Sequence, residues 1–314
     1  MKYFLYLLSI FFIAPYGSYS QGDIPLGTWR THFPYNSAHT VVATQDRIYC
    51  ATSAGLFFYD LNDNSITTLS TVDGLSETQV SELAYSSTYN ILLIAYTSGN
   101  IDLLTEDNLI VNITSLLEAE NIGEDRQINH IFLSDRLAYL STNFGVVVID
   151  LIRQEVSATY LNLGATGTRL PIHAATIYQN QLFLASQEGI LFAPLTSNLQ
   201  FFGNYTFFDE TDGIPQQPTS AIAVTEDVLY AGVEEAGLYQ LENNTWSLVP
   251  AISDTTFYQL QSIDDQLYVC VPGRVYRFDG SFQTLANLEE PRQIAIDNQG
   301  TIWIGFKPQV FWRF

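Results

Sequence analysis

Arg47-Ile48-Tyr49-Cys50-Ala51, a break at Thr52-Ser53-Ala54, then Gly55-Leu56-Phe57-Phe58-Tyr59 is the stretch on which the architecture turns. Two short runs of β-branched and aromatic residues, separated by a turn that ends in glycine, read as a β-hairpin. The pair recurs as Gln181-Leu182-Phe183-Leu184-Ala185 with Gly189-Ile190-Leu191-Phe192, and again before Gly99, Gly145, Gly237 and Gly273. A further copy, Thr301-Ile302-Trp303-Ile304-Gly305, carries Pro308 at the glycine position. Successive turn positions lie 44, 46, 44, 48, 36 and 35 residues apart. A period of about 40 to 50 residues is that of a four-stranded propeller blade.

Each hairpin is extended on both sides. In the first unit the strands are expected at Thr40–Ala43, Ile48–Thr52, Leu56–Leu61 and Ser65–Ser70, with Gln45-Asp46-Arg47 and Asn62-Asp63-Asn64 supplying turn chemistry. Ala51, Ala95, Ser141, Ala185, Gly232, Cys270 and Gly305 occupy one position of the second strand, a column of small residues where converging blades leave least room. The last unit holds strands at Gln293–Asp297, Thr301–Phe306 and Gln309–Phe314 and no fourth. Gly27–Phe33 resembles the outer strand Asn244–Leu248 and is expected to close that blade, removing an open edge. No stretch sustains a 3.6-residue period, and Ser115–Asn121 is at most a helical turn. The expected fold is all-β, a seven-bladed propeller of four-stranded antiparallel blades whose last blade is closed by an N-terminal strand.

Composition narrows the function. Twelve Lys+Arg face 33 Asp+Glu in 314 residues, a formal charge of −21, while only 14% of the chain is charged. An ordinary protein carries about 25%, so bases are scarce rather than acids abundant. Such a chain repels a phosphate backbone, which excludes nucleic acid as a partner. With 47% hydrophobic residues it is not disordered. Lys2, the apolar Tyr3–Pro15 and the small-x-small Ser18-Tyr19-Ser20 form a signal peptide over residues 1–20, leaving 21–314 as a single propeller domain. No later segment is long and apolar enough to span a membrane, so the chain is expected to be exported to the periplasm or cell surface. Cys50 and Cys270 each lie inside a strand-like run and read as buried small hydrophobes.

Asp73-Gly74-Leu75-Ser76-Glu77-Thr78-Gln79-Val80 and Gly300-Thr301-Ile302-Trp303-Ile304-Gly305 resemble the propeller repeats of two-component regulators. A wider resemblance rests on Trp29–Tyr35, Ile48–Thr52, Asp73–Ser76, Ile94-Ala95-Tyr96, Asn100–Leu104 and Phe144–Val148. These stretches are similar to the N-terminal propeller of the PorZ family, surface components of the type IX secretion system of Bacteroidota. The resemblance implies a non-enzymatic protein- or glycan-binding propeller whose partner is the sortase-like protein of a surface attachment complex. It also implies a link to lipopolysaccharide through a C-terminal domain. Family members carry a second propeller and a sorting domain, so a chain ending at Phe314 is expected to be a truncated member.

No catalytic pattern emerges. His32, His39, His130 and His173 have no partner at metal or triad spacing, and no G-x-S-x-G elbow or phosphate loop occurs. His39, His130 and His173 fall near the starts of inner strands, within reach of the mouth of a central channel, and read as packed or hydrogen-bonded structural histidines. Asp60-x-Asn62-x-Asn64 copies the start of a calcium loop, but Ser65 replaces the required glycine and Thr71 the closing glutamate, leaving an Asx-stabilised turn. Neither cofactor nor metal is expected. Asp73, Phe144, Arg169, Glu235 and Arg274 form a candidate partner-binding rim, because loops entering the inner and third strands share one face. Arg274, Arg277, Arg292, Lys307 and Arg313 form a candidate basic patch. Two other functions compete with the binding module: the sensor propeller of a two-component regulator, and a polysaccharide-active enzyme needing an acid and a base at the channel mouth.

Overall fold

The computed structural model describes residues 38–52, 54–120, 122–250, 252–306 and 312–313. In its first sheet the strands Ala38–Ala43, Arg47–Thr52, Gly55–Asp60 and Ile66–Leu69 pair antiparallel in sequence order. Five further sheets repeat the order, and their inner strands are Val80–Ser86, Ile128–Ser134, Ile172–Tyr178, Thr219–Thr225 and Gln259–Ile263. Among the described residues the last sheet holds Pro291–Ile296, Ile302–Phe306 and Trp312–Arg313. Each inner strand packs beside the next, and Pro291–Ile296 returns to Ala38–Ala43. The architecture is an all-β propeller.

The expectation of seven four-stranded blades is corrected. Among the described residues the structure has six four-stranded blades rather than seven, and the other three strands form a three-stranded sheet. Among the described residues its third strand pairs Trp303 with Arg313 and Ile304 with Trp312, and the rest of the expected strand Gln309–Phe314 lies outside the described residues. Gly27–Phe33, proposed as the fourth strand, lies outside the described residues.

Buried side chains collect between sheets. Leu93 and Ile101 meet Leu140 and Val147 between the second and third sheets, and Val41 and Cys50 meet Ala295 and Trp303 between the first and the three-stranded one. Each Val, Leu or Ile among them contributes about 1.5–3 kcal/mol when fully buried, so sheet-to-sheet contact is a main source of stability. The column of small residues lies where expected: Gly232 is capped by the Phe257 ring, and a Cβ on Gly305 would touch the His39 backbone carbonyl at 3.1 Å. Cys50 and Cys270 are free and buried.

Two loops entering inner strands share one device. Ser70 caps a turn of 3-10 helix at Thr71–Asp73, its hydroxyl accepting from Val72 N–H while the Asp73 carboxylate accepts from Ser70 N–H at 2.9 Å. Gly74 follows at φ 109°, Leu75 is buried, and Ser76 ties down the loop through Asp102. The Asp102 carboxylate, fully buried, accepts from Ser76 N–H at 2.8 Å, Ser76 Oγ–H at 2.7 Å, Tyr96 O–H at 2.6 Å and Asn112 Nδ2–H at 2.8 Å. Asp209–Ile214 repeats the turn, with Asp209 and Asp212 as the reciprocal cap and Gly213 at φ 90°. That second copy shares only the Asp-Gly pair and an apolar residue with the first, and its sequence does not announce it.

Candidate functional site at the central channel

Inner strands in a propeller have one edge that pairs with nothing in their own sheet, so their N–H and C=O groups need other partners. Six of the seven inner strands described begin with an irregularity. The pairing skips His39, Ser81, Asn129, His173, Ser220 and Arg292, one extra residue apiece. In the sixth sheet Tyr258 occupies the equivalent place, its N–H bonded to Cys270 O. Bulges of this kind re-aim a side chain, and here they ring the mouth of the channel.

The ring links sheet to sheet. His39 Nε2 lies 2.9 Å from Val80 O, Asn129 Nδ2–H donates to Ile172 O at 2.9 Å, and His173 Nδ1 lies 2.9 Å from Thr219 O. Each accepting carbonyl precedes the bulge residue of the next sheet. A carbonyl only accepts, so those imidazole nitrogens carry the proton. Ser81 and Ser220 instead bond within their own sheets, to Ala95 O and Gly232 O. The Arg292 guanidinium stacks 3.9 Å over the Tyr258 ring and holds Glu290 at 3.0 Å.

A second ring lies one residue further in: Thr40, Glu82, His130, Ala174, Ala221, Gln259 and Gln293. Each is paired directly with a member of the small column, from Thr40 opposite Ala51 to Gln293 opposite Gly305. Gln259 Oε1 accepts from Ile294 N–H at 3.3 Å, and Gln293 Oε1 from Val41 N–H at 2.8 Å. Thr40 Oγ1–H is in contact with both Gln293 Oε1 and Glu82 Oε2. The pattern then stops. The Glu82 carboxylate turns back to its own neighbour, Leu83 N–H, at 3.2 Å. His130 Nδ1 is buried with no partner among the described residues. Ala174 and Ala221 present only methyl groups. Burial pushes the Glu82 carboxyl up to about 7 and the His130 imidazole down to about 4. Both side chains keep part of their surface open to the channel.

The residues anticipated from sequence are dispersed. Asp73 serves the cap described above, and Phe144 is 1% exposed in the core between the second and third sheets. Arg169 is exposed, with its guanidinium against Gly123, and Glu235 is exposed in a turn at φ 59°. Arg274 is exposed and donates to Tyr276 Oη at 3.0 Å, while Arg277 holds Gln283 at 2.9 Å and Asp279 at 3.7 Å. Three apart on one strand, Arg274 and Arg277 point to opposite faces. Of the five bases, Arg292 lines the channel mouth; Lys307 and the Arg313 side chain lie outside the described residues. Asp60 and Asp63 accept from Asn62 and Ser65 N–H at 2.9 Å, the Asx turn expected in place of a calcium loop. Sequence reading placed His39, His130 and His173 near the mouth, which the structure shows, and passed over Glu82.

Among solved structures, the chain resembles PorZ, an essential surface component of the type IX secretion system of Porphyromonas gingivalis. The TM-score is 0.76 at 21% identity, over 89% of this chain and 37% of that one. The extracellular domain of the putative hybrid two-component system BT3049 from B. thetaiotaomicron gives a TM-score of 0.69 at 14% identity, over 88% of this chain and 39% of that one. The WD40 propeller of Doa1 gives 0.67 at 13%, over 89% and 92%. At these identities the likeness shows the fold, and the chain spans under two fifths of the first two proteins' length. No curated protein matches it in sequence. No helix among the described residues is long and apolar enough to cross a membrane. The profile of the PorZ N-terminal β-propeller domain of the type IX secretion system matches residues 48–206, half of the chain, and the chain therefore belongs to that family.

Proposed function

We propose that this propeller is a non-enzymatic binding module of a PorZ-like component of the type IX secretion machinery, acting outside the cytoplasm. Its partner is a protein of the surface attachment complex, of the sortase kind, received at the channel mouth. The observation that carries this reading is the convergence of polar bulge residues from successive sheets around one opening of about 550 Å³. A binding role fits the chemistry better than catalysis. Glu82 is hydrogen-bonded to Thr40 and Leu83 rather than to His130, so neither side chain is oriented by the other as an acid–base pair requires.

A photo-crosslinking residue at Ser220, on the mouth, is expected to capture the sortase in envelope preparations. The same residue at Ile152, 58% exposed on the turn between outer strands, is expected not to. Equal capture at both positions, or capture at Ile152 alone, would remove the assignment of the mouth as the binding face.

A further inference from the structure

We infer that the channel receives a basic side chain, an ammonium or guanidinium group on an aliphatic stem, with Glu82 as its counter-charge and His130 and Gln261 as acceptors. The inference rests on the mouth being the binding face and names the chemistry that the face reads.

Three cavities of about 280, 340 and 550 Å³ meet along the inner strands, and Glu82 is the one residue lining all three. Among the described residues it has no ion-pair partner. His130 Nδ1 and Gln261 Oε1 are both buried without a partner, and both residues line the 340 Å³ cavity with Glu82. A buried polar atom left unpaired is costly, and a donor-rich ligand removes that cost. Burial keeps His130 neutral through most of the pH range, so its ring retains one lone pair to accept with. The remaining walls of that cavity include Val42, Ile131, Ile222, Val224 and Leu260, which suit a methylene stem.

The other charged and titratable groups in these cavities are His39, Tyr85, His173, Tyr258, Arg292 and Glu234. Arg292 is held by Glu290 and Tyr258 and does not reach for Glu82. An anion would meet an unpaired carboxyl inside a chain of net charge −21, whereas a cation is drawn by both. On binding, the cation takes the place of the proton on Glu82, which leaves to solvent.

The test uses n-butylamine, n-butylguanidine and n-butanol as probes, titrated calorimetrically into the full chain. The amine, the guanidine or both bind, butanol does not, and affinity rises about tenfold from pH 6 to pH 8 as a carboxyl titrating at about 7 ionises. Which cation binds separates a lysine-like from an arginine-like partner. Glu82→Gln abolishes binding, and Ala174→Leu, which keeps Glu82 and fills the channel from the fourth sheet, does so independently. Binding of butanol as tight as of either cation, no pH dependence, or binding unchanged in Glu82→Gln would overturn the inference. Sortase capture at Ser220 that persists beside such a result leaves the mouth as the binding face; absence of capture removes the mouth itself.

Discussion

Replacing Asp102 by alanine tests whether the loop entering the second inner strand is fastened as described. The carboxylate is fully buried and accepts four hydrogen bonds from three residues. Asn112 keeps other acceptors, Asn100 Oδ1 at 3.0 Å and Ile101 O at 3.1 Å, so its loss is small. Ser76 N–H, Ser76 Oγ–H and Tyr96 O–H have no second acceptor among the described residues. Tyr96 is wholly buried, and its O–H left without an acceptor costs about 1–3 kcal/mol, although its oxygen still accepts from Glu77 N–H. Ser76 is exposed and recovers water, so its two bonds add about 1–2 kcal/mol. The expected loss is roughly 3–4 kcal/mol, or about 10 °C in Tm for a protein of this size. Tyr96→Phe, which removes one donor and leaves the carboxylate satisfied by the others, costs about 1 kcal/mol. Thermal and urea unfolding of both variants and of the double variant give the coupling. Strong non-additivity is expected, because Asp102→Ala has already removed what Tyr96→Phe takes away. An Asp102→Ala protein within 1 kcal/mol of the parent would refute the account.

Gly213→Ala is expected to cost about 2 kcal/mol or more, since φ is 90° and the new Cβ would sit 2.3 Å from the Trp246 carbonyl oxygen. Gly300→Ala, at φ 79° with open space around it, costs about 1 kcal/mol, and urea midpoints at constant m report the difference. Glu82 and His130 oppose one another in pH dependence. The raised Glu82 value means that the folded protein holds a proton the unfolded chain has lost, so stability from this group falls as pH rises from about 4.5 to about 7. The depressed His130 value makes stability fall as pH drops from about 6.5 to about 4. Glu82→Gln therefore unmasks a rising profile and His130→Gln a falling one, each spanning at most about 3 kcal/mol and less with water in the channel. Burial pushes both thiols up, so Cys50 and Cys270 stay unreactive to a thiol reagent in the folded protein and both react in denaturant.

Strand positions were legible because hairpin chemistry repeats: Arg47–Thr52 and Gly55–Asp60 fall within a residue of their expected bounds. The bulges were not. In Val80-Ser81-Glu82-Leu83 the inserted Ser81 shifts the alternation, so a strict period of two puts Glu82 with the solvated residues instead of the channel. The column of small residues held the missing signal, since the residue paired with each member is a channel residue. Phe144 misled for a related reason. Its N–H bonds Thr142 Oγ1 in a turn shared with Ala54 on Thr52 and Glu188 on Ser186, and that turn accepts an aromatic, a methyl or a carboxylate. What buries Phe144 is the preceding interblade loop, where Leu116 and Ile122 pack into the same cluster. Apolar residues in a loop otherwise rich in acids were the clue.

The channel separates residues that serve the ring from residues left over. Along the sixth sheet, the three-stranded sheet and the first, Gln259, Gln293 and Thr40 pass hydrogen bonds from one sheet to the next. That arc is self-sufficient, and removing any one of its side chains would orphan a backbone or carboxyl group on its neighbour. From the second sheet to the fifth the same ring reads Glu82, His130, Ala174 and Ala221, and the chain of bonds is broken. Ala174 and Ala221 are buried in the sheet-to-sheet cores and offer no hydrogen-bonding group, while an acid and an imidazole are kept at a cost in desolvation that apolar side chains would not carry. The hydrogen-bonded ring does not require an acid and an imidazole at these positions, and on the proposed reading they are kept for the cation that enters the channel.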